Sequence, residues 1–241
     1  MPRWTGEALS YIQVSVGIKA VAFDIDGTLY SSASLYAKLL PFTVRNWRLL
    51  KAFATVRHDI HARSANANHR DKLPHDGEAL HALQAELMAT RLGVETRAAA
   101  TMIQKIMYEE LERYFALIRP YKGVDACLDA LASAGLRLAA LSDFPASRKL
   151  AHLGLENRFE LELCSEDTGR LKPAPEPFRA LSEGLGLEPR DILYIGNSPR
   201  FDVAGAKGAE MPCALRGRRR TAADFRFTDF SALTDFALAL A

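Results

Sequence analysis

The 241-residue chain is 49% hydrophobic and 25% charged, with a formal net charge of +2 at pH 7, a composition that excludes disordered, collagen-like and coiled-coil classes. Thirty-one Lys+Arg nearly balance twenty-nine Asp+Glu, so no global field singles out nucleic acid or a membrane as partner. The length allows one sizeable core, or one core with a small satellite domain.

Residues 1–18 open the chain without a clear element. Ile12, Val14 and Val16 alternate with Gln13 and Ser15, which suits a short extra strand as well as a loose extension. The stretch lacks the basic start and cleavage site of a leader, and no run approaches the roughly eighteen apolar residues of a membrane span. Cys127, Cys164 and Cys213 are widely separated and form no C-x-x-C pair, so they read as small buried residues of a reducing, cytoplasmic compartment.

From Lys19 the pattern sharpens. Ala20, Val21, Ala22 and Phe23 form a short apolar run without amphipathic spacing, as in a parallel strand covered on both faces. The run ends in Asp24-Ile25-Asp26-Gly27-Thr28, so two carboxylates stand at its carboxyl end, where open α/β sheets hold their ligands. Residues 35–118 then read as helix alone. Val44, Trp47, Leu50, Phe53, Ala54 and Ile60 recur at helical spacing, as do Leu80, Leu83 and Leu87, and then Met102, Ile103, Ile106, Met107, Leu111 and Phe115. Trp47, Phe53 and Tyr36 are expected to pack inside this segment, and a polar stretch over 63–77 separates its first two helices. The pattern predicts an inserted helical domain over 35–118, hinged near 30–34 and 119–123.

Beyond the insert, helices predicted over 124–134, 147–153 and 175–184 alternate with strands predicted over 136–141, 159–164 and 192–195. Such a rhythm argues for βαβ units. The fold class is α/β: a three-layer sandwich with a mainly parallel, Rossmann-like sheet. The core domain is expected over 1–34 and 119–241, interrupted by the helical domain.

Four patches each follow a predicted strand: Asp24-Ile25-Asp26-Gly27-Thr28-Leu29, then Ser142, then Lys172 with Pro173, then Gly196-Asn197-Ser198 with Asp202 beyond. In this set and order the chain resembles the haloacid dehalogenase superfamily from Lys19 onward. The first patch fits the D-x-D-G-T-[LV] signature completely, and the second and third fit the hydroxyl and lysine motifs. The resemblance implies a cap-bearing phosphatase, with 35–118 as a helical cap that closes over the site and reads the leaving group. It implies Mg²⁺-dependent hydrolysis of a small phosphomonoester through an aspartyl-phosphate, with a small phosphorylated metabolite as partner. Related dehalogenases lack the second aspartate, so Asp26 argues for chemistry at phosphorus.

The resemblance also implies the ligands of Mg²⁺: the Asp24 carboxylate, the Asp26 backbone carbonyl, and the fourth motif through Asn197 and Asp202. Asn197 stands where an aspartate usually follows the glycine, and it offers a carbonyl oxygen without a charge. A metal site of weaker affinity is expected. The alternative is a catalytically weak or inactive binding or regulatory protein on the same fold.

The residue types suit phosphate chemistry. A phosphate dianion repels carboxylates, so an acidic nucleophile needs compensating positive charge, here from Lys172 and Mg²⁺. Asp24 would attack phosphorus in line, and Asp26 would protonate the leaving alkoxide and later activate water. Gly27 permits the tight turn that aims amides at the phosphoryl oxygens, to which Ser142 and Thr28 would donate. Asp143 is uncomfortable beside a phosphate and is expected to turn away and cap the following helix.

Two basic stretches remain. Residues 45–75 hold seven Lys+Arg against two acids, with His58, His61, His69 and His75. They read as a solvated helix face and polar loop, with no histidine placed as a zinc ligand. Arg216-Gly217-Arg218-Arg219-Arg220 lacks interleaved aromatics and reads as a solvated surface loop, not a nucleic-acid interface.

Overall fold

A computed structural model of the chain describes residues 17–65 and 73–241. The strand suggested by Ile12, Val14 and Val16, and His69, lie outside the described residues. One parallel sheet runs in the order β3-β2-β1-β4-β5-β6. Its strands are β1 (Ala20–Phe23), β2 (Arg137–Ser142), β3 (Leu161–Cys164), β4 (Ile192–Gly196), β5 (Cys213–Arg216) and β6 (Phe225–Phe227).

All four residues of β1 are buried, which explains its central place. Successive strand side chains point to opposite faces, so Val21 and Phe23 join one apolar cluster while Ala20 and Ala22 join another. The helices, in chain order, are α1 (Ser32–Lys38), α2 (Leu40–Ala65), α3 (Gly77–Leu92), α4 (Thr96–Ile103), α5 (Val124–Ser133), α6 (Ser147–His152), α7 (Pro175–Leu185), α8 (Ala204–Gly208) and α9 (Phe230–Leu238). Leu128 of α5 and Leu233 of α9 cover the first face; Phe178 of α7 and Ala206 of α8 cover the second. The fold is the three-layer α/β sandwich that the sequence predicts. Strand β2 flanks β1 on one side and β4 on the other, so the crossover direction reverses beside β1 and leaves a crevice at its carboxyl end.

Helices α1 to α4, a π-helical turn (Gln104–Glu110) and a 3₁₀ turn (Glu112–Leu117) lie between β1 and β2. An antiparallel bridge between Tyr30 and Pro120 joins the two ends of this insert. Ser31 caps α1 and Asp76 caps α3 by accepting from Ser34 and Ala79 amides. Helix α2 kinks at Asn46, whose amide donates to the Phe42 carbonyl at 3.1 Å. Phe53, Val56, Ile60, Leu80, Met88 and Ile103 form a cluster of their own, which Leu171 from beyond β3 completes.

Two expectations fail here. Phe53 is buried, but Tyr36 and Trp47 are 70% and 57% exposed, because Leu39, Phe42 and Leu49 supply the inward face of α1 and α2. Arg216 belongs to no loop: it ends β5, with its guanidinium 3.4 Å from the centre of the Tyr121 ring. Arg218, Arg219 and Arg220 are exposed as expected. Among the described residues no helix is long and apolar enough to cross a membrane, and the three cysteines are buried and free.

Candidate active site

The site begins where β1 stops. The Asp24 amide donates to the Ile195 carbonyl at 2.8 Å and carries the pairing with β4 one residue past the strand. Then the chain folds back on itself, with the Thr28 and Leu29 amides donating to the Ile25 carbonyl. Gly27 makes this turn at φ +87, where L side chains are strained; a Cβ there would also lie 2.0 Å from Asn197 Nδ2. Folding back brings the Thr28 hydroxyl to 2.8 Å from Asp24 Oδ2.

Lys172 approaches from the loop after β3. Its Nζ donates to Asp24 Oδ1 at 2.7 Å, to Asp202 Oδ1 at 2.8 Å and to the Tyr194 hydroxyl at 3.1 Å. Asp202 accepts on its other oxygen from the Asn197 and Ser198 amides, at 3.1 and 2.9 Å. Lys172, Asp24 and Asp202 are all buried. Burial lowers the affinity of the Lys172 amine for its proton, but the two carboxylates outweigh this and hold its pKa well above the ordinary range. Burial pushes the Asp24 carboxyl up to about 7, helped by Asp202 and Asp26 and opposed by Lys172. One ammonium shared by two acids leaves the second negative charge poorly compensated.

Asp26 sits in a different environment. Its Oδ2 accepts from Lys149 Nζ at 2.6 Å and from the Ser142 hydroxyl at 3.1 Å, and its Oδ1 accepts from the Tyr30 hydroxyl. Partial burial raises its pKa, yet Lys149 and these hydrogen bonds outweigh that and hold the carboxyl below its usual range. Its backbone carbonyl accepts from Asn197 Nδ2 at 3.2 Å. Hydrogen bonds and ion pairs thus link Asp24, Asp26, Thr28, Ser142, Lys172, Asn197 and Asp202 into one network, although these residues come from distant parts of the chain. Lys149, Tyr30 and Tyr194 belong to it too, and no spacing in the sequence marks them.

The insert reaches this network through one face of α2. Arg57 forms a buried ion pair with Glu166, donates to the Asp143 carbonyl at 2.8 Å, and lies 4.4 Å from the Phe144 ring centre. Burial would raise the Glu166 carboxyl, but Arg57, with hydrogen bonds from His81 and Tyr108, holds it low. His61 Nδ1 is 2.8 Å from the Lys172 carbonyl, an acceptor, so this nitrogen carries the proton; its ring stacks on Phe201. Burial pushes the His61 pKa down despite nearby Asp143. Arg57 and His61 are therefore not on a solvated face, as the charge pattern suggests. Their position four residues apart, beside Phe53, Val56 and Ile60, is the signal that places them inward.

Asp143 does turn away from the nucleophile, but it caps nothing. Helix α6 has Ala146 at its N-cap with no side-chain bond. Asp143 Oδ1 instead accepts from the Lys172 amide at 3.3 Å, and Oδ2 faces His61 Nε2 at 3.6 Å.

A hard cation needs oxygen donors. Among the described residues, no group of three or more His, Cys, Asp and Glu side chains is arranged to hold a metal ion. The donors that converge here are of another kind: the Asp24 carboxylate, the Asp26 carbonyl, and the Asn197 amide directly over the bare Cα of Gly27. Turning the Asn197 amide about its last bond exchanges nitrogen for oxygen and sets that oxygen beside the Asp26 carbonyl, in the turn that follows Asp24. Such a set fits Mg²⁺, which accepts a few protein oxygens and retains water.

Residues 18–210 match the haloacid dehalogenase-like hydrolases. The chain is 28% identical over 197 residues to a glyceraldehyde 3-phosphate phosphatase of Methanopyrus kandleri, covering 80% of this chain and 82% of that one. It is 32% identical over 206 residues to a phosphoglycolate phosphatase of Rhodospirillum rubrum, covering 82% and 78%. The L-2-haloacid dehalogenase of Xanthobacter autotrophicus with chloropropionic acid covalently bound superposes with a TM-score of 0.65 at 21% identity, covering 93% of this chain and all of the other, which establishes a shared fold.

Proposed function

The chain belongs to the haloacid dehalogenase-like hydrolase family, and we propose that within it this protein is a cytoplasmic, Mg²⁺-dependent phosphatase of small phosphomonoesters. The observation that carries this reading is the placement of two carboxylates at the end of β1 against separate ammonium groups, Asp24 on Lys172 and Asp26 on Lys149. A nucleophile and a proton carrier need different environments, and these two have them. The phosphatase names of the relatives support the same reaction.

Asp24 attacks phosphorus in line through a carboxylate oxygen, and Thr28 and Lys172 orient it for that attack. The bond to the leaving oxygen breaks as the aspartyl-phosphate forms. Asp26, which the free protein holds as the carboxylate, takes up a proton from solvent as substrate binds, gives it to that oxygen, and later takes one from the water that attacks the intermediate, which returns Asp24 to its starting state. Ser142 donates to the phosphoryl oxygens, and Lys172 neutralises charge that develops on them. The Asp24 carboxylate, the Asp26 carbonyl and the Asn197 amide oxygen would hold Mg²⁺, which would supply positive charge against the dianion, while Asp202 holds Lys172 and would reach the ion through water. Residues 35–118 form the cap, which contacts the core through Arg57 and His61 and excludes water when substrate is bound.

A panel of phosphorylated metabolites together with p-nitrophenyl phosphate, read by release of free phosphate with and without Mg²⁺, tests this. Mg²⁺-dependent release from at least one ester is expected. A folded protein that releases phosphate from none of them, and binds no Mg²⁺ by titration calorimetry, overturns it in favour of a binding or regulatory protein that lost metal affinity through Asn197.

A further inference from the structure

We propose that Lys149 is a phosphate-binding group of this site, whose ammonium passes from Asp26 to the phosphoryl oxygens when substrate binds and so releases Asp26 toward the leaving oxygen. The inference rests on the phosphatase reading and adds to it a residue outside the four sequence motifs.

Lysine is seldom buried without an ionic partner, and Lys149 is only 4% exposed. Its Nζ lies 2.6 Å from Asp26 Oδ2 and 3.4 Å from Ser142 Oγ, while that hydroxyl is itself 3.1 Å from the same Asp26 oxygen. Two donors therefore converge on one point, and in the free protein a carboxylate oxygen fills it. The Phe115 and Phe144 ring centres, 5.1 and 5.7 Å from Nζ, attract the cation without accepting its N–H hydrogen bonds. The Asp26 side chain is 34% exposed, against 5% for that of Lys149, so an incoming anion meets the pair from the Asp26 side.

Charge decides what takes the place of the carboxylate. Asp24 and Asp202 already share Lys172, and Asn197 brings no charge to the fourth motif. With Mg²⁺ bound, these two carboxylates and a phosphoryl dianion still outweigh Lys172 and the ion by one negative charge, so a dianion arriving beside Ser142 needs a further cation. Lys149 is the ammonium within reach of the Ser142 hydroxyl, and a dianion competes for it more strongly than the single charge of Asp26. No bond breaks in this exchange: Lys149 and Ser142 redirect their N–H and O–H groups from one oxygen acceptor to another. Asp26, tethered on three sides in the free protein, then keeps only the Tyr30 hydroxyl.

Inorganic phosphate is the probe. Its binding to the full chain is followed by titration calorimetry in Mg²⁺ buffer, and its competitive inhibition of p-nitrophenyl phosphate turnover is measured alongside, for wild type, Lys149→Met, Lys149→Gln and Lys149→Arg. Thermal melting confirms that each variant is folded. The expected result is a rise of about tenfold or more in the dissociation and inhibition constants of phosphate for Lys149→Met and Lys149→Gln, which Lys149→Arg largely reverses. Phosphate constants within twofold of wild type in both neutral variants overturn the proposal, as does a fall in kcat with those constants unchanged, which makes Lys149 a positioning residue for Asp26 alone. Loss of phosphate binding in the variants supports it even where the wild type hydrolyses no ester, an outcome that sinks the phosphatase reading instead.

Discussion

Lys172 Nζ stands 2.7 Å from Asp24 and 2.8 Å from Asp202, so one buried ammonium serves two buried carboxylates. The partners are not equivalent. Asp202 also accepts two backbone amides, whereas Asp24 Oδ2 accepts from the Thr28 hydroxyl. The better solvated charge anchors the lysine, and the poorer one is left reactive at the mouth of the sheet crevice.

Replacing the reactive member separates function from stability. Asp24→Asn removes the nucleophile and is expected to lower turnover by about 10³-fold or more. Because the folded-state pKa of Asp24 is raised from 3.8 to about 7, folding is penalised as pH rises from 3.8 through 7, and the penalty is complete above that. The asparagine variant should therefore be more stable than wild type at pH 8 in EDTA, by on the order of a few kcal/mol, and nearly equal to it at pH 4. Denaturant midpoints at the two pH values check this. Equal midpoints at pH 8 show that the carboxylate is not strained.

Replacing the anchoring member does the opposite. Asp202→Ala leaves Lys172 with one poorly solvated partner and removes the acceptor for the Asn197 and Ser198 amides. Breaking a buried pair from one side costs about 3–5 kcal/mol, and this variant should unfold at clearly lower denaturant. Asp202→Asn keeps an acceptor for the amides and should fall between it and wild type. A midpoint for Asp202→Ala equal to that of wild type sinks the anchoring role.

The fourth motif gives a metal prediction. In Asn197→Asp a carboxylate oxygen faces the Asp26 carbonyl at the 3.2 Å separation now bridged by an N–H donor. Without a cation these oxygens repel; with Mg²⁺ they become ligands. Mg²⁺ affinity by titration calorimetry should rise by about tenfold, and thermal stability in EDTA should fall. Unchanged affinity removes Asn197 from the ligand set.

What the sequence reveals of this site follows from how each residue is fixed. Asp24, Asp26, Gly27 and Thr28 are legible because one turn holds them at the end of a fully apolar strand, and Ser142 and the Gly196–Asn197 pair because they too stand at the carboxyl ends of strands. Lys149 lies inside a six-residue helix, where a lysine is ordinary and only tertiary packing turns it inward. Arg57 and His61 were hidden by the opposite effect: the basic composition around them suggests a solvated face, but their side chains lie on the inner face of α2, where Glu166 and the Lys172 carbonyl are their partners. The three- and four-residue strands β5 and β6 are too short to show a period at all.

His61 makes the contact between insert and core sensitive to acid. Its Nδ1–H donates to the Lys172 carbonyl, and Asp143, Arg57 and the Phe201 ring surround the rest of the side chain. Burial holds its folded-state pKa below the ordinary 6.5. Between those two values the unfolded chain binds a proton that the folded one does not, so stability falls as pH drops below 6.5, by no more than about 1.4 kcal/mol per pH unit. Half-buried His81 acts in the opposite sense, because Glu166 raises its pKa and its contribution is fully present below 6.5. Subtraction isolates the first effect. His61→Gln retains an N–H donor for the Lys172 carbonyl but does not titrate, so its stability should decline less than that of wild type between pH 6.5 and 5. Parallel declines in urea midpoint for the two proteins would show that His61 takes up its proton equally well in both states.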